Sequence, residues 1–218
     1  MCLLHLNSFG FLVPIVQTEL SGIVLSSFPA GDRFVRIRIF DQKSGLRDIL
    51  FSLPGKRRDK VAPPDLFDDL ECKLSPRNAE SSIPFASEFQ IMKSYRELAQ
   101  DAGRFLSASE IARFYLNNGS HLLETVPRLT LLRSALDSFS RSVVPKAVVL
   151  KLYFTFARDE GLPVRESWLA SLPTDLSQLA KRTLSLPVHE IKEGNLSLIQ
   201  IVDSLKLWMN EETELFVE

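Results

Sequence analysis

The chain is poor in the residues that build metal and disulfide sites. Its 218 residues include two cysteines, Cys2 and Cys72, and three histidines, His5, His121 and His189. Two cysteines provide neither a Cys-rich zinc site nor a disulfide framework, and the histidines are too widely spaced to form a metal motif. We therefore expect no metal ion, no cofactor and a location in the reducing cytoplasm.

Long hydrophobic runs are also missing. No stretch approaches the roughly 20 consecutive apolar residues that a membrane-spanning helix needs, so we expect no membrane partner. Residues 1–16 are apolar, but they have no Lys or Arg before their core and no small-residue cleavage site, so we do not expect a secretory signal. We assign them to an N-terminal extension. The overall composition, 45% hydrophobic and 24% charged, is that of a globular protein.

Motifs of catalysis and of phosphate loops are absent as well. The sequence has no Gly-x-Ser-x-Gly, His-Glu-x-x-His or Gly-x-Gly-x-x-Gly pattern. Gly55-Lys56 does not complete a phosphate loop, because Leu50 stands where Gly is needed and Arg57 where Ser or Thr would bind magnesium. We expect no enzymatic activity, although an enzyme with a dispersed site stays open as an alternative.

The net charge is −1, but the charges are unevenly distributed. Residues 31–60 contain nine basic and four acidic residues, whereas residues 190–218 contain seven acidic and two basic residues. A local excess of positive charge attracts phosphates, and a local excess of negative charge repels them. The sequence therefore predicts a phosphate-binding surface near the first segment and none near the second.

The first part of the chain is typical of a small β-barrel. Five runs rich in β-branched and aromatic residues, separated by turn residues, predict strands. These runs are 17–27, 33–41, 46–53, 66–74 and 84–93. Five short strands within fewer than about 80 residues favour an OB-fold β-barrel over residues 17–93.

From residue 94 onward the hydrophobic pattern is helical. Ser107 and Glu110 have the spacing of a capping box, which predicts a helix start at Ser107. Four further helices are predicted from apolar stripes at 122–139, 144–160, 175–184 and 195–210. The helix at 144–160 is apolar on nearly every side, so we expect it to be buried. The predicted fold class is α+β, with the five-stranded OB-fold barrel followed by an all-helical domain over 94–218.

The second predicted strand carries the most specific functional pattern. Alternation places apolar residues 35, 37 and 39 on one face and Phe34, Arg36 and Arg38 on the other. Guanidinium groups bind phosphates, and a flat ring can stack on an unpaired base. The same pattern also fits a solvated strand face that is charged for solubility.

A basic loop after the third predicted strand adds to this pattern. OB-fold barrels bind nucleic acid through a strand face and the loops beside it. Since a basic loop can equally be an ordinary surface loop, the prediction depends on the face and the loop together. The predicted nucleic-acid-binding residues are Arg33, Phe34, Arg36, Arg38, Lys56, Arg57, Arg58 and Lys60.

The order of these patterns resembles a known family. The run 19–27 (ELSGIVLSS), followed by Gly31-Asp32-Arg33 and the strand 34–40, is similar to the opening of the bacterial recombination mediator RecO family. Gly45-Leu46 follows at a suitable distance, and 54–58 (PGKRR) resembles the basic stretch after the family's third strand. Two later segments also resemble the family: 150–161 (LKLYFTFARDEG) its buried central helix, and 172–190 its closing helix and Leu-Pro turn.

The resemblance implies a DNA repair protein that is not an enzyme. Members of the family have an OB barrel and a helical domain, bind single- and double-stranded DNA, and anneal strands. They act with RecR and help to load RecA where single-stranded-DNA-binding protein coats the strand. Their helical domain binds the acidic, apolar C-terminal tail of that protein. No individual residue for this contact can be carried over to this sequence. Arg128 and Arg133 are therefore candidates for the contact but are not predicted to make it.

Two features depart from the family pattern. Many members carry a four-Cys zinc module near the position of residues 163–173, and this chain has no cysteine there, so it resembles the zinc-free variants. Residues 1–16 have no counterpart in the pattern. The near-neutral net charge and the acidic 190–218 segment also leave an alternative open, an OB-fold protein-interaction adaptor without significant DNA binding.

Overall fold

The structure, a computed structural model, describes residues 4–6, 12–14, 18–53, 62–75, 83–192 and 195–218. Near the N-terminus, β1 (Leu4–Leu6) and β2 (Leu12–Pro14) pair antiparallel as a separate two-stranded sheet. Among the described residues, no helix combines the length and the apolar character needed to cross a membrane.

Five strands form a closed barrel. They are β3 (Thr18–Pro29), β4 (Phe34–Asp41), β5 (Gly45–Ser52), β6 (Asp69–Ser75) and β7 (Phe85–Lys93). Their order around the barrel is β3-β4-β5-β7-β6, and all neighbours are antiparallel except β5 and β7. This arrangement confirms the predicted OB-fold barrel.

Strand β3 closes the barrel by changing its pairing partner along its length. Its first half pairs with β6 and its second half with β4, and the two pairings overlap at Gly22 and Ile23. A Cβ on Gly22 would lie 2.1 Å from the carbonyl oxygen of Phe40, so the close approach of β3 and β4 requires glycine here. Beyond Ile23, strand β3 continues to Pro29, two residues further than predicted.

Because every second residue of a strand points inward, aliphatic side chains fill the barrel interior. Ile37 and Ile39 of β4 point inward, as predicted, and meet Val24, Ile49 and Leu70 from three other strands. All five are fully buried, and burial of each such side chain contributes about 1.5–3 kcal/mol. Strand β6 begins at Asp69 rather than at 66, because Phe67 adopts a positive φ of 67° just before it.

In the part of the chain that the structure describes, six α-helices follow the barrel, preceded by a 3-10 helix at Arg96–Gln100. They are α1 (Ala102–Asn118), α2 (Thr125–Arg141), α3 (Pro145–Asp159), α4 (Trp168–Ser171), α5 (Thr174–Ser185) and α6 (Asn195–Glu212). Helix α3 lies at the centre and packs against α1, α2, α5 and α6. The prediction of a helix buried on several sides is confirmed.

The predicted start of the first helix at Ser107 is wrong. Helix α1 begins at Ala102, and Asp101 caps it by accepting a hydrogen bond from the backbone N–H of Arg104 at 2.9 Å. Ser107 lies inside the helix and is buried. Its capping-box spacing to Glu110 therefore occurs without capping function.

Part of the outer barrel surface and the helices share a hydrophobic core that is separate from the barrel interior. Phe40 of β4 points away from the barrel interior and packs edge-on against Tyr115 of α1, with ring centroids 4.9 Å apart. Around this contact, Arg133 of α2 donates two hydrogen bonds to Asp69, at 2.7 and 2.8 Å. The helices thus cover one part of the outer barrel surface, and among the described residues the side chains of Phe28, Arg36 and Arg38 lie outside this covered part.

Candidate nucleic-acid interface

The open outer surface spans three strands, β3, β4 and β5. Directly opposed residues of paired strands project on the same side of a sheet. The register pairs Arg38 with Ser26 of β3 and with Asp48 of β5, and it pairs Arg36 with Phe28 of β3. We call this surface, defined by Phe28, Phe34, Arg36, Arg38 and Asp48, the barrel face.

One carboxylate binds both arginines of the barrel face. Arg36 Nη2 lies 2.5 Å from Asp48 Oδ2, and Arg38 Nε lies 3.1 Å from Asp48 Oδ1. The two arginine side chains remain 40% and 41% exposed, and that of Asp48 is 24% exposed. Alternation along β4 predicts that the arginines share a face but does not reveal Asp48 as their partner. With Asp48 included, this trio has one net positive charge.

Asp48 stays ionised at neutral pH. Partial burial acts to raise the pKa of its carboxyl group, but hydrogen bonds and charge attraction from Arg36 and Arg38 outweigh burial and hold the pKa below its ordinary value. Its hydrogen bond and charge in turn raise the pKa of Arg36. An incoming phosphate must therefore compete with an ionised carboxylate for these guanidinium groups.

The aromatic residue predicted to stack on a base has a neighbour of its own. The rings of Phe34 and Phe85 meet edge-on, with centroids 5.1 Å apart and an interplanar angle of 72°. Phe34 is half-buried, whereas Arg33, just before β4, is exposed. The backbone N–H of Leu53 donates to the carbonyl oxygen of Arg33 at 2.8 Å, which fixes the end of β5 beside the start of β4.

The basic loop leaves the barrel at this corner. Residues 54–61 are outside the described residues, so the predicted contributions of Lys56, Arg57, Arg58 and Lys60 stay predictions. The structure does place the last described residue before the loop, Leu53, next to Arg33. The loop therefore begins at an edge of the barrel face.

Sequence reasoning missed Phe28. The predicted first strand ended at residue 27, just before Phe28, but β3 extends to Pro29. Phe28 is 53% exposed and lies on the barrel face directly opposite Arg36. A register shift between Val24 and Ser26 turns Phe28 to the outer side of the barrel, whereas unbroken alternation from the inward Val24 would have placed Phe28 inside, so the sequence pattern alone does not reveal its position.

A second cationic site lies on the helical part of the protein. A cleft of about 360 Å³ is formed by α3, α5 and the chain around α4. Its apolar walls come from Phe154, Leu169 and Leu184. Its basic residues are Lys151, Arg158, Arg165 and Lys181, and no Asp or Glu is among the described residues that line it. We call this the helical cleft.

The basic groups of the helical cleft differ in their surroundings. Lys151 donates a hydrogen bond to the carbonyl oxygen of Leu184 at 2.9 Å, and burial lowers the pKa of its amine. Arg158 binds its neighbour Asp159 at 2.7 Å, while Arg165 and Lys181 are exposed. The cleft therefore combines a cationic rim with apolar walls.

Arg128 and Arg133, which the sequence left unassigned as contacts for the acidic tail, both stabilise the fold. Arg128 is 3% exposed, lies 2.8 Å from Glu160, and places its guanidinium 4.7 Å from the ring centroid of Phe156. Arg133 binds Asp69 at the junction of barrel and helices. Neither residue lines the helical cleft.

A cavity on the barrel, away from the barrel face, is lined by more acidic than basic residues. It measures about 490 Å³ between β3, β6 and β7, and its charged residues are Glu19, Glu71, Glu88, Lys43 and Lys73. Cys72 lies at its floor, where burial raises the pKa of the thiol to about 12 and keeps it protonated. Among the described residues, no group of three or more His, Cys, Asp or Glu side chains is placed to hold a metal ion.

Comparison with known proteins adds no family assignment. No family model matches the chain, and no curated protein matches it. Functional inference therefore rests on the geometry of the barrel face and the helical cleft, together with the sequence resemblance described above.

Proposed function

We propose that this protein is a DNA-binding recombination mediator of the RecO type, which binds single- and double-stranded DNA and anneals strands. The observation that carries the proposal is the barrel face, where two partly exposed arginines and aromatic rings share the outer surface of an OB-fold barrel. OB-fold barrels bind oligonucleotides through this combination of strand face and flanking loops. As in the family it resembles, it acts in DNA repair with RecR and helps to load RecA.

The proposed mechanism is electrostatic. Phosphates replace Asp48 as partners of Arg36 and Arg38, while the basic loop that starts beside Arg33 adds further positive charge. Neutralising the phosphates of two strands reduces their repulsion and lets complementary bases pair. Because each neutralised phosphate releases counterions, binding must weaken steeply as salt rises.

The test is a fluorescence-anisotropy titration of poly-dT at two salt concentrations. Arg36→Gln and Arg38→Gln are introduced together with Asp48→Asn, so that no carboxylate loses its partners. We expect affinity to fall about tenfold or more at low salt and the salt slope to decrease by about one to two. Arg113→Gln is the matched control, because Arg113 is also an exposed arginine in an ion pair but lies on α1. Equal behaviour of the triple variant and the control would contradict the site.

The basic loop provides a second arm of this experiment. Lys56→Glu with Arg57→Glu should also flatten the salt dependence, because both substitutions reverse charge in the basic segment that follows Leu53. Binding as tight as that of the parent protein would remove the loop from the proposed site.

The helical cleft supports the proposed contact with the C-terminal tail of single-stranded-DNA-binding protein. An acidic, apolar tail needs cations for its carboxylates and an apolar pocket for its hydrophobic side chains. The cleft offers Arg165 and Lys181 at its rim and Phe154 within its walls. Electrostatic attraction aids encounter, and the buried apolar contacts supply affinity.

A labelled acidic, apolar peptide tests this contact directly. We expect Arg165→Glu with Lys181→Glu to weaken peptide binding about tenfold or more in fluorescence anisotropy, while Arg113→Glu with Arg96→Glu leaves it near the parent value. The control reverses the same number of charges on exposed residues elsewhere. A peptide with the same composition in scrambled order should bind more weakly, and equal binding would indicate nonspecific charge attraction.

The adaptor without significant DNA binding is the second candidate. Two observations favour it: Asp48 offsets part of the charge of the barrel face, and the helical cleft is independent of that face. The two titrations separate the candidates. An adaptor binds the peptide and does not shift poly-dT even at low salt, whereas a mediator binds both.

A further inference from the structure

We propose that Phe28 is the platform on which the barrel face stacks an unpaired base, and that it makes the face prefer single-stranded over double-stranded DNA. This inference rests on the proposed DNA binding and assigns its substrate preference to one side chain. Base stacking on aromatic rings requires a base that has left the duplex, whereas phosphate contacts form with either kind of strand.

The position of Phe28 fits this role. It is the cross-strand partner of Arg36, so the Cβ atoms of the two residues lie about 4.5–5.5 Å apart on the same side of the sheet. Phe28 is 53% exposed, so a large part of its ring is open to a ligand. A nucleotide on the barrel face can therefore place its base on this ring and its phosphate near Arg36.

Phe34 is less suited to stacking. It is half-buried and packs edge-on against Phe85, so part of its surface is already covered. Its contact with Phe85 joins β4 to the start of β7, next to the parallel pairing of Leu50 with Phe85. We assign Phe34 to holding this corner of the barrel and Phe28 to contacting DNA.

Asp48 helps to keep the ring of Phe28 accessible. Strand β4 lies between β3 and β5, and the Arg36 guanidinium is drawn to Asp48 on the β5 side. An arginine that lacked this partner could instead cover the neighbouring ring through a cation–π contact. The carboxylate thus directs Arg36 away from the side on which Phe28 lies.

The test compares the parent protein with Phe28→Ala on three ligands: poly-dT, a duplex of equal length, and a single strand of abasic sites. Loss of one stacked base should weaken poly-dT binding about 5- to 100-fold. Duplex and abasic binding should change less than about twofold, because the charges are unchanged. The salt slope on poly-dT should also stay the same.

Phe28→Trp supplies a readout that a structural role would not produce. It should retain single-strand binding, and its fluorescence should be quenched by poly-dT but not by the abasic strand. The native tryptophans, Trp168 and Trp208, are buried, so the introduced indole reports on the barrel face. Phe216→Ala is the control for loss of an equally exposed ring, since Phe216 is 55% exposed but lies after α6.

The outcomes separate this inference from the proposed function. If the parent protein binds none of the three ligands, the proposed DNA binding is wrong. If the parent binds and Phe28→Ala weakens all three ligands equally, or none of them, then Phe28 does not stack a base. A circular dichroism melt of each variant verifies that it is folded before the titrations are compared.

Discussion

At the scale of single residues, Asp48 determines how the barrel face presents its charge. Alternation in the sequence predicts that Arg36 and Arg38 share a face, and the structure places them so. It does not predict that a carboxylate from the next strand binds both, because that contact depends on the register of β4 and β5. The hairpin turn sets this register by pairing Asp41 with Gly45.

Asp48→Asn should strengthen DNA binding. The amide removes the charge that competes with phosphate, and its oxygen still accepts a hydrogen bond from Arg36, which keeps that guanidinium on the β5 side. We expect poly-dT affinity at low salt to rise about three- to tenfold. Stability should change by no more than about 1 kcal/mol, because these partly exposed ion pairs are screened by water. Anisotropy titration and urea denaturation measure the two quantities.

Glu88→Gln is the matched control for Asp48→Asn. It removes one negative charge from an exposed ion pair, Glu88 with Lys73, which lies on β7 and β6 away from the barrel face. If both variants raise affinity equally, the effect comes from net charge and Asp48 has no specific role. A larger effect of Asp48→Asn assigns the competition to the barrel face.

At the scale of elements, the sequence predicts the strands and most of the helices, but it does not predict where several of them begin and end. Period-two alternation and turn residues located all five barrel strands, because each strand has one face in the core. The start of α1 was missed because Asp101 caps it without a Glu or Gln at the capping-box position. The extension of β3 through Phe28 was missed because Pro29 resembles the beginning of a turn.

Gly22→Ala should destabilise the barrel at the point where β3 changes partner. The added Cβ would meet the Phe40 carbonyl at 2.1 Å, and the neighbouring atoms are backbone, which cannot rotate away. We expect a loss of about 3 kcal/mol in the free energy of unfolding, measured by urea denaturation. The cost reflects separation of two paired strands.

Gly103→Ala is the control for the same chemical change in a helix. There the Cβ would lie 3.3 Å from Asp101 Oδ1, a side-chain atom, and alanine is the better helix former. We expect a change smaller than about 1 kcal/mol. Similar losses in both variants would contradict the assignment of Gly22 as a packing requirement of the barrel.

At the scale of the whole molecule, the helices decide which part of the outer barrel surface can bind a ligand. By alternation alone, Phe40 belongs to the same outward set as Phe34, Arg36 and Arg38. The structure divides this set, because Phe40 is buried against α1 while the arginines are partly exposed. Sequence reasoning could not make this division, since it depends on where α1 docks on the sheet.

Packing among the helices and against the barrel buries every tyrosine of the protein. Tyr95, Tyr115 and Tyr153 are all buried, and they are the three tyrosines in the sequence. Burial raises the pKa of each phenol, and for Tyr95 the hydrogen bond it donates to Asp137, at 2.6 Å, raises it further. Nearby Arg128 lowers the pKa of Tyr115, but less than burial raises it.

These shifts predict that the folded protein forms tyrosinate only when it unfolds. The folded state binds the phenolic protons more tightly than the unfolded state does, so their contribution to stability is complete below the ordinary tyrosine pKa of about 10 and is lost as pH rises above it. Absorbance at 295 nm and circular dichroism, followed together from pH 9 upward, should change in one coincident transition. In guanidinium chloride all three phenols should instead titrate near pH 10. Tyrosinate equivalent to even one residue, formed near pH 10 with native circular dichroism, would show that the shared core does not enclose all three rings.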